Sequence, residues 1–357
     1  MLDPILIDLT YQSQFNRKVD LFNRAIEPYT DQISYFRSKA TGFRTRIEFG
    51  ISKFSGKLNF SMSENSKRVE IKEMPICNSR IRKLMPELMN YLNTNKQFSE
   101  KLFQIEFQVS RKKDAMISMI YHKKLNSKWG LEAKKLSKIF DSSIIGRSHK
   151  QCIIIGNNFV LETYKSESHQ YPLKLYEQCF SQTNPDICDD MLTWVENSSH
   201  TQDDILELYC GLGTFTILFS RMYNKVLATE NSRPNILGLN ENLLLNNVNN
   251  VWSARLSGYE TLDAIKKTRS YRRMKDIDLS NFKLSTIFLD PPRNGLDGNT
   301  LNAVSNYDQI IYLSCGFDSL TRDLSHLSKT HRVRKAAMFD QFPFTAHLES
   351  GLVLEKK

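Results

Sequence analysis

Glu207-Leu208-Tyr209-Cys210-Gly211-Leu212-Gly213-Thr214-Phe215 joins an apolar strand-like run at 205–208 to a helical run at 214–223. Its two glycines let the backbone turn tightly and approach a bound cofactor. The next strand-like run, 226–230, ends on Glu230. An acid about 20 residues past such a loop is placed to hold ribose hydroxyls. The plainer reading of Glu230 is an exposed strand-end acid, but its position favours the ribose role. The loop lacks the third glycine of the dinucleotide fingerprint, which argues against NAD or FAD. A short glycine loop with a ribose acid suits S-adenosylmethionine (SAM) better.

Working outward, strand-like and helical runs keep alternating from about Ser181: 233–246 is helical, and 286–290 and 310–314 are strand-like. This rhythm predicts an α/β, parallel, doubly wound sheet. Residues 261–283 are charged and read as an exposed insertion or helix. The first half has another character. Residues 1–40 are polar and irregular, with helical patches at 25–26 and 33–36. Strand-like alternation at 44–49, 58–62, 102–109 and 115–121 combines with helical periodicity at 81–92 and 129–140. That half reads as α+β with an open antiparallel sheet. The predicted division is 1–175 and 176–357.

The 357 residues carry a net charge of +10. Residues 1–170 hold 29 Lys+Arg against 17 Asp+Glu, and the remainder 20 against 22, so the basic excess lies in the first half. A basic half beside a near-neutral one suggests a polyanion-binding module next to a catalytic one. Arg44, Arg46, Lys123 and Lys124 are interleaved with Phe43, Phe103 and Tyr121. Single-stranded RNA is held by that mixture, through phosphate pairing and base stacking, although aromatics on strands more often form core. The six cysteines show no zinc or iron–sulfur spacing and read as free thiols of a reducing cytoplasm. No apolar run reaches the ~18 residues of a membrane span. Met1-Leu2-Asp3-Pro4 shows no signal-peptide start.

Three further features carry chemistry. Asp290-Pro291-Pro292-Arg293 ends the apolar run Ile287-Phe288-Leu289, because proline cannot continue a strand ladder. Asp290 is thereby held at the carboxyl edge, where open α/β sheets bind ligands. Cys315 follows the run 310–314 and is expected at the same edge, partly exposed. Arg293 is the candidate cation to lower its pKa and make it a nucleophile. Cys210, inside the glycine loop, is the rival thiol. Glu349 follows an aromatic run, where a raised pKa suits a general base. His347 is the rival base, and a solvated acid near the chain end is the plainer reading of Glu349.

These motifs together resemble the bacterial tRNA (uracil-5-)-methyltransferase family, which makes 5-methyluridine in the tRNA T-loop. The resemblance rests on Phe43-Arg44-Thr45-Arg46-Ile47-Glu48-Phe49, Leu102-Phe103-Gln104-Ile105, Tyr121-His122-Lys123-Lys124-Leu125 and Phe180-Ser181-Gln182-Thr183-Asn184 in the first part. It continues through the glycine loop, Leu227-Ala228-Thr229-Glu230, Asp290-Pro291-Pro292-Arg293, Ser314-Cys315 and Phe339-Asp340-Gln341-Phe342-Pro343. It implies an N-terminal RNA-recognition domain and a C-terminal Rossmann-like SAM-dependent methyltransferase domain. It implies Cys315 as nucleophile and Glu349 as the base that removes the C5 proton. Gln182, Tyr209, Gly211, Thr214, Glu230 and Asp290 would bind SAM. Arg44, Arg46, Phe103, Gln104, His122 and Arg293 would face RNA. The ribosomal relatives carry an iron–sulfur cysteine cluster that this sequence lacks, which favours tRNA, with tmRNA close behind. No metal, membrane or obligate protein partner is expected. The alternatives are a uridine methyltransferase of tmRNA or rRNA, and an RNA-binding or RNA-folding protein that has lost methyl transfer.

Two departures from the family stand out. Gly316-Phe317 replaces the usual Asn-Pro after the nucleophile, and Leu212 and Thr214 replace asparagines in the glycine loop. Gly316 is expected to keep the turn through its backbone freedom, and Phe317 to narrow the base pocket. Restoring Asn-Pro is expected to change turnover only modestly.

Overall fold

A computed structural model describes residues 4–64, 66–199 and 203–357. The leader reading at Met1-Leu2-Asp3 lies outside the described residues. The chain opens with α1 (Pro4–Ile26) and β1 (Ile33–Phe36). The next part contains β2 (Arg46–Phe54), β3 (Lys57–Glu64), β4 (Lys67–Ile71), α2 (Ser79–Thr94), α3 (Lys96–Ser99), β5 (Leu102–Val109), β6 (Ala115–Tyr121), α4 (Ser127–Phe140), β7 (Ser143–Ser148) and β8 (Gln151–Ile155). The hairpin β9 (Phe159–Lys165) and β10 (Gln170–Tyr176) follows. Then come α5 (Pro185–Glu196), β11 (Asp204–Leu208), α6 (Thr214–Met222), β12 (Val226–Thr229), α7 (Arg233–Leu245), β13 (Val251–Ala254) and α8 (Gly258–Ile265). The chain closes with β14 (Leu284–Leu289), α9 (Gly298–Val304), β15 (Gln309–Ser314), α10 (Phe317–Leu327), β16 (His331–Phe339) and β17 (Glu349–Lys356).

Eight strands form the larger sheet in the order β1-β16-β17-β15-β14-β11-β12-β13. The run from β13 to β15 is parallel, as the alternating pattern predicts. The chain then passes over one strand position through α10, lays down β16, and returns as β17 antiparallel to both neighbours. Successive strand residues face opposite ways. Ile205, Phe288 and Ile311 pack on one face with α5, α6 and α7. Leu206, Ile287 and Ile310 pack on the other with α8, α9 and α10. The sheet is therefore buried on both sides, and only its strand ends are open to a ligand.

The start of the chain departs from expectation. Residues 4–26 form one helix rather than an irregular segment. Its buried residues Tyr11, Lys18, Phe22 and Ile26 recur at helical spacing, but two of them carry polar groups, so the stripe is faint in the sequence. Residues 33–36 are a strand, not a helix, and pair in parallel with β16. Four residues rich in β-branched and aromatic side chains suit a sheet edge and are too few for a stable helix. The division expected at 175 thus leaves β1 in the first half, whereas its hydrogen bonds lie in the sheet of the second.

The smaller sheet has seven strands in the order β4-β3-β2-β5-β6-β7-β8. It is antiparallel except for β6 and β7, which run parallel because α4 forms the crossover between them. Its core packs Ile47, Phe49, Ile105 and Phe107 against Ile81, Leu84 and Leu88 of α2 and Trp129 and Leu136 of α4.

Candidate active site

Strand register brings the chemical residues to one edge. Leu208 pairs with Thr229 and Leu289, and Leu289 with Tyr312. Ser314 pairs with Ser350, and Phe339 with Glu349. The residues just beyond these pairs are Tyr209, Glu230, Asp290, Cys315 and Asp340. Among the described residues of the larger sheet, β17 alone runs antiparallel to its neighbours and begins at this edge, so its first residue, Glu349, stands at the same opening. A residue eight from the C-terminus is thereby 2% exposed, not a solvated acid.

Cys315 is partly exposed, as expected. Burial, then the charges of Glu349 and Asp290, push its thiol up to about 11. Arg293 acts in the expected direction, as a charge and a hydrogen-bond donor, but does not prevail. The resting group is a thiol. Cys210 is fully buried and raised further by burial, which removes it as a rival. Burial and the neighbouring charge of Asp290 hold Glu349 well above the usual carboxylate range, while Arg293 opposes them. Asp290 is itself pushed up to about 7 by burial. Asp290 is half-buried and Glu349 buried, and the charge of Asp290 strengthens the hold of Glu349 on its proton. Glu349 Oε1 is buried and has no hydrogen-bond partner among the described residues. His347 is lowered by burial and the nearby cations Arg293 and Lys18.

The glycine loop is wound tightly, with Tyr209, Gly211 and Gly213 at φ 62°, 56° and 92°. At Gly213 a Cβ would stand 2.5 Å from Leu239 Cδ1, so this glycine is required by close packing as well as by its angle. Glu230 is pinned across the loop: its carboxylate accepts from Gly211 N at 3.2 Å and Ser232 N at 2.7 Å. Thr214 opens α6, and its carbonyl accepts from Tyr171 Oη at 2.6 Å. Gln182 is buried and accepts from Gln341 Nε2 at 2.7 Å, leaving Gln341 Oε1 without a partner. The sequence motif contains Gln341, but nothing in its spacing assigns it a place beside Gln182.

The expected RNA-facing residues separate into two groups. Phe103 and the exposed His122 stack with ring centroids 3.9 Å apart, and half-buried Gln104 lies beside them on β5. Phe43 and Tyr121 are 4% and 2% exposed and belong to the core, so their expected stacking on RNA does not fit the fold. Arg46 ties the small sheet to the turn after β10, bonding Glu106 at 2.6 Å and the carbonyls of Glu177 and Cys179. Arg44 donates to the Arg46 carbonyl at 2.9 Å. Both arginines are thus engaged inside the fold.

The residues after Cys315 differ from expectation. Gly316 has φ −114°, which any residue adopts, so it is not there for backbone freedom. A Cβ on it would stand 2.2 Å from the Arg293 carbonyl oxygen. Glycine is needed because the Asp-Pro-Pro-Arg turn passes directly over it. Phe317 opens α10, and its ring lies 5.9 Å from that of Phe22 on α1.

Comparison with known proteins accords with this geometry. The family model described as tRNA (uracil-5-)-methyltransferase matches residues 10–357. A Teredinibacter turnerae protein named tRNA/tmRNA (uracil-C(5))-methyltransferase is 39% identical over 355 residues, covering 98% of each chain. An Aliarcobacter butzleri protein of the same name is 38% identical over 359 residues, covering 98% of this chain and 96% of its own. The crystal structure of Pyrococcus abyssi tRNA (uracil-54, C5)-methyltransferase in complex with S-adenosyl-L-homocysteine superposes with a TM-score of 0.74 at 19% identity. It covers 96% of this chain and 83% of that one, a likeness of fold. The chain belongs to the tRNA (uracil-5-)-methyltransferase family.

Proposed function

We propose that this chain methylates C5 of a uridine in the tRNA T-loop, with Cys315 as nucleophile and Glu349 as base. The observation that carries the reading is the pairing of Ser314 with Ser350, which sets the residues beside them, Cys315 and Glu349, at one strand edge under Asp290. C5 of uracil is a poor nucleophile. Once the Cys315 thiol has lost its proton to solvent, addition of the thiolate to C6 moves the ring electrons onto C5 and the C4 oxygen. SAM, when bound, supplies an electrophilic methyl group that the activated C5 takes up. Glu349 then removes the C5 proton, and the electron pair of that C–H bond expels the Cys315 sulfur from C6. A carboxylate held above its usual pKa is the stronger base once ionised.

The residues present suit SAM. The carboxylate of Glu230, fixed by two backbone N–H groups, is preorganised for ribose hydroxyls. Nothing stands within 4 Å of where a Gly211 Cβ would be, so a ligand can approach its backbone. Tyr209, Thr214, Gln182 and Asp290 complete the cofactor side. We assign the RNA side to Phe103, Gln104 and His122 of the seven-stranded sheet, together with Arg293 in the turn after β14. The uridine must leave the loop stack to be attacked from its face. The relatives' names favour tRNA and admit tmRNA as a second substrate. We place the protein in the cytoplasm, where such RNAs are found; among the described residues no helix is long and apolar enough to cross a membrane.

Single-turnover transfer from labelled SAM to unmodified tRNA tests the reading. Cys315→Ala should abolish transfer and keep tRNA affinity. Glu349→Gln should accumulate a protein–RNA adduct on a denaturing gel. Near-normal turnover in Cys315→Ala would end the covalent reading.

A further inference from the structure

Tyr11, Gln14 and Lys18 are spaced i, i+3 and i+7, so they share one face of α1. That face meets the connection between β16 and β17. Lys18 Nζ donates to Asp340 Oδ1 at 2.7 Å and to the Phe342 carbonyl at 2.9 Å. Gln14 Oε1 accepts from Phe344 N at 2.7 Å. The Tyr11 ring packs against that of Phe344, with centroids 5.8 Å apart. Three positions of the connection, 340, 342 and 344, are therefore gripped by one helical face. Thr345 Oγ1 extends the grip by donating to the Phe342 carbonyl at 2.8 Å and accepting from His347 N at 3.2 Å. Two residues further on stands Glu349.

Lys18 and Asp340 are 4% and 0% exposed. Removing two charges from water offsets much of their attraction, so such a pair is a weak source of stability and serves better as a device that fixes geometry. Here the geometry fixed is that of Asp340, the residue after Phe339, which pairs with Glu349. Phe22, farther along the same helix, packs on Phe317 behind Cys315. One helix thus backs both segments that end at the reacting edge.

We propose that α1 is a positioning element of the active site, and that Lys18, acting through Asp340 and the Phe342 carbonyl, holds Glu349 in place for removal of the C5 proton. This rests on the reading of Glu349 as the base. The connection is otherwise a turn containing Phe344 at φ 62°, a conformation that needs outside support in a residue with a side chain.

The test uses the full chain with SAM and unmodified tRNA. Lys18→Met/Asp340→Asn removes both charges, so neither is left buried alone. The double variant should melt close to the wild type and bind SAM equally well. Its kcat should fall about tenfold or more at a KM for tRNA near the wild-type value. It should accumulate the protein–RNA adduct that Glu349→Gln accumulates, because adduct formation is intact and proton removal is slow. Lys18→Arg, which keeps the charge, should recover part of the rate, and Gln14→Ala should give a smaller defect of the same kind. An adduct in Glu349→Gln but none in the double variant would overturn the positioning role alone. No adduct in either would overturn the base reading and this inference with it. Loss of SAM binding together with early melting would mark Lys18 as a fold residue and also overturn it.

Discussion

Gly316→Ala adds a single methyl group at the point where the strand ending before Cys315 meets the Asp-Pro-Pro-Arg turn. The new Cβ would stand 2.2 Å from the Arg293 carbonyl oxygen, 3.0 Å from its carbonyl carbon and 2.6 Å from Ser319 Oγ. The hydroxyl can rotate away, at the loss of its 2.8 Å bond to the Arg293 carbonyl. The carbonyl cannot, because Pro291 and Pro292 stiffen the chain before it and Gly295 N bonds the Pro292 carbonyl at 2.9 Å. Ordinary contact requires the two backbones to part by about 1 Å. Overpacking of this kind costs about 1–3 kcal/mol of stability. A displacement of about 1 Å at the reacting groups costs on the order of 100-fold in rate, near 2.7 kcal/mol of barrier. Gly316→Ala should therefore melt a few degrees lower, at about 2–4 °C per kcal/mol, and slow single-turnover methyl transfer by about two orders of magnitude. Gly316→Asn should do the same, so installing the family's Asn-Pro should harm this protein. Wild-type melting and transfer in Gly316→Ala would refute the steric argument.

Other outcomes follow from the same geometry. With its thiol pushed up to about 11, Cys315 should be alkylated by iodoacetamide at a rate that climbs with pH and shows no plateau below about pH 10. Arg293→Met should slow alkylation further at any fixed pH, and a plateau near pH 8 in peptide-resolved mass spectrometry would contradict this. Glu207 is fully buried and pushed up to about 8 by burial, with the charge of Asp290 adding to the rise. Its folded pKa exceeds its unfolded one, so it lowers stability increasingly as pH rises from about 4.5 to about 8. Glu207→Gln should then add more unfolding free energy at pH 8 than at pH 5, by on the order of a few kcal/mol in denaturant titrations; an equal gain at both would refute the titration. Lys124 is exposed, whereas Lys123 is tied to Glu100 at 3.0 Å and to the Gln97 carbonyl at 2.9 Å. Lys124→Ala should lower the salt slope of tRNA binding by about 1 and Lys123→Ala by less; equal slopes would move the RNA surface elsewhere.

Four strands of the parallel core, β11, β12, β14 and β15, were readable because each is a short apolar run that soon meets a turn; β13, Val251–Ala254, was not read. Asp290 and Cys315 were readable for the same reason, standing just past the ends of such runs. Glu349 was readable only through the resemblance, because its burial depends on β17 turning back between β15 and β16, and reversal leaves no mark in local periodicity. Alternation located β5 and β6 but not which aromatics would be covered: α2 and α4 close over one face and take Tyr121 into the core, while Phe103 stays outside. Lys18 was invisible because its partner lies 322 residues away, and a lysine within a polar helix reads as solvated. The role of Gly316 required three dimensions, since its torsion angles are ordinary and only the path of Arg293 above it forbids a side chain.

The pairing of β1 with β16 has a consequence for how the protein is made. Residues 33–36 emerge about 300 residues before their partner, residues 336–339, which only β17 follows among the strands. The edge of the large sheet therefore stays open until the chain is nearly complete, and closing a loop of that length makes late folding steps slow. Until then α1 also lacks its surface. A fragment beginning at residue 176 would carry β16 as a bare edge strand with Ala336, Ala337, Met338 and Phe339 along it, a template for pairing with other chains. The larger sheet is thus not an excisable module: one of its edge strands, β1, precedes the whole seven-stranded sheet in the chain, and residues 33–36 and 336–339 must meet before the larger sheet has its final neighbours.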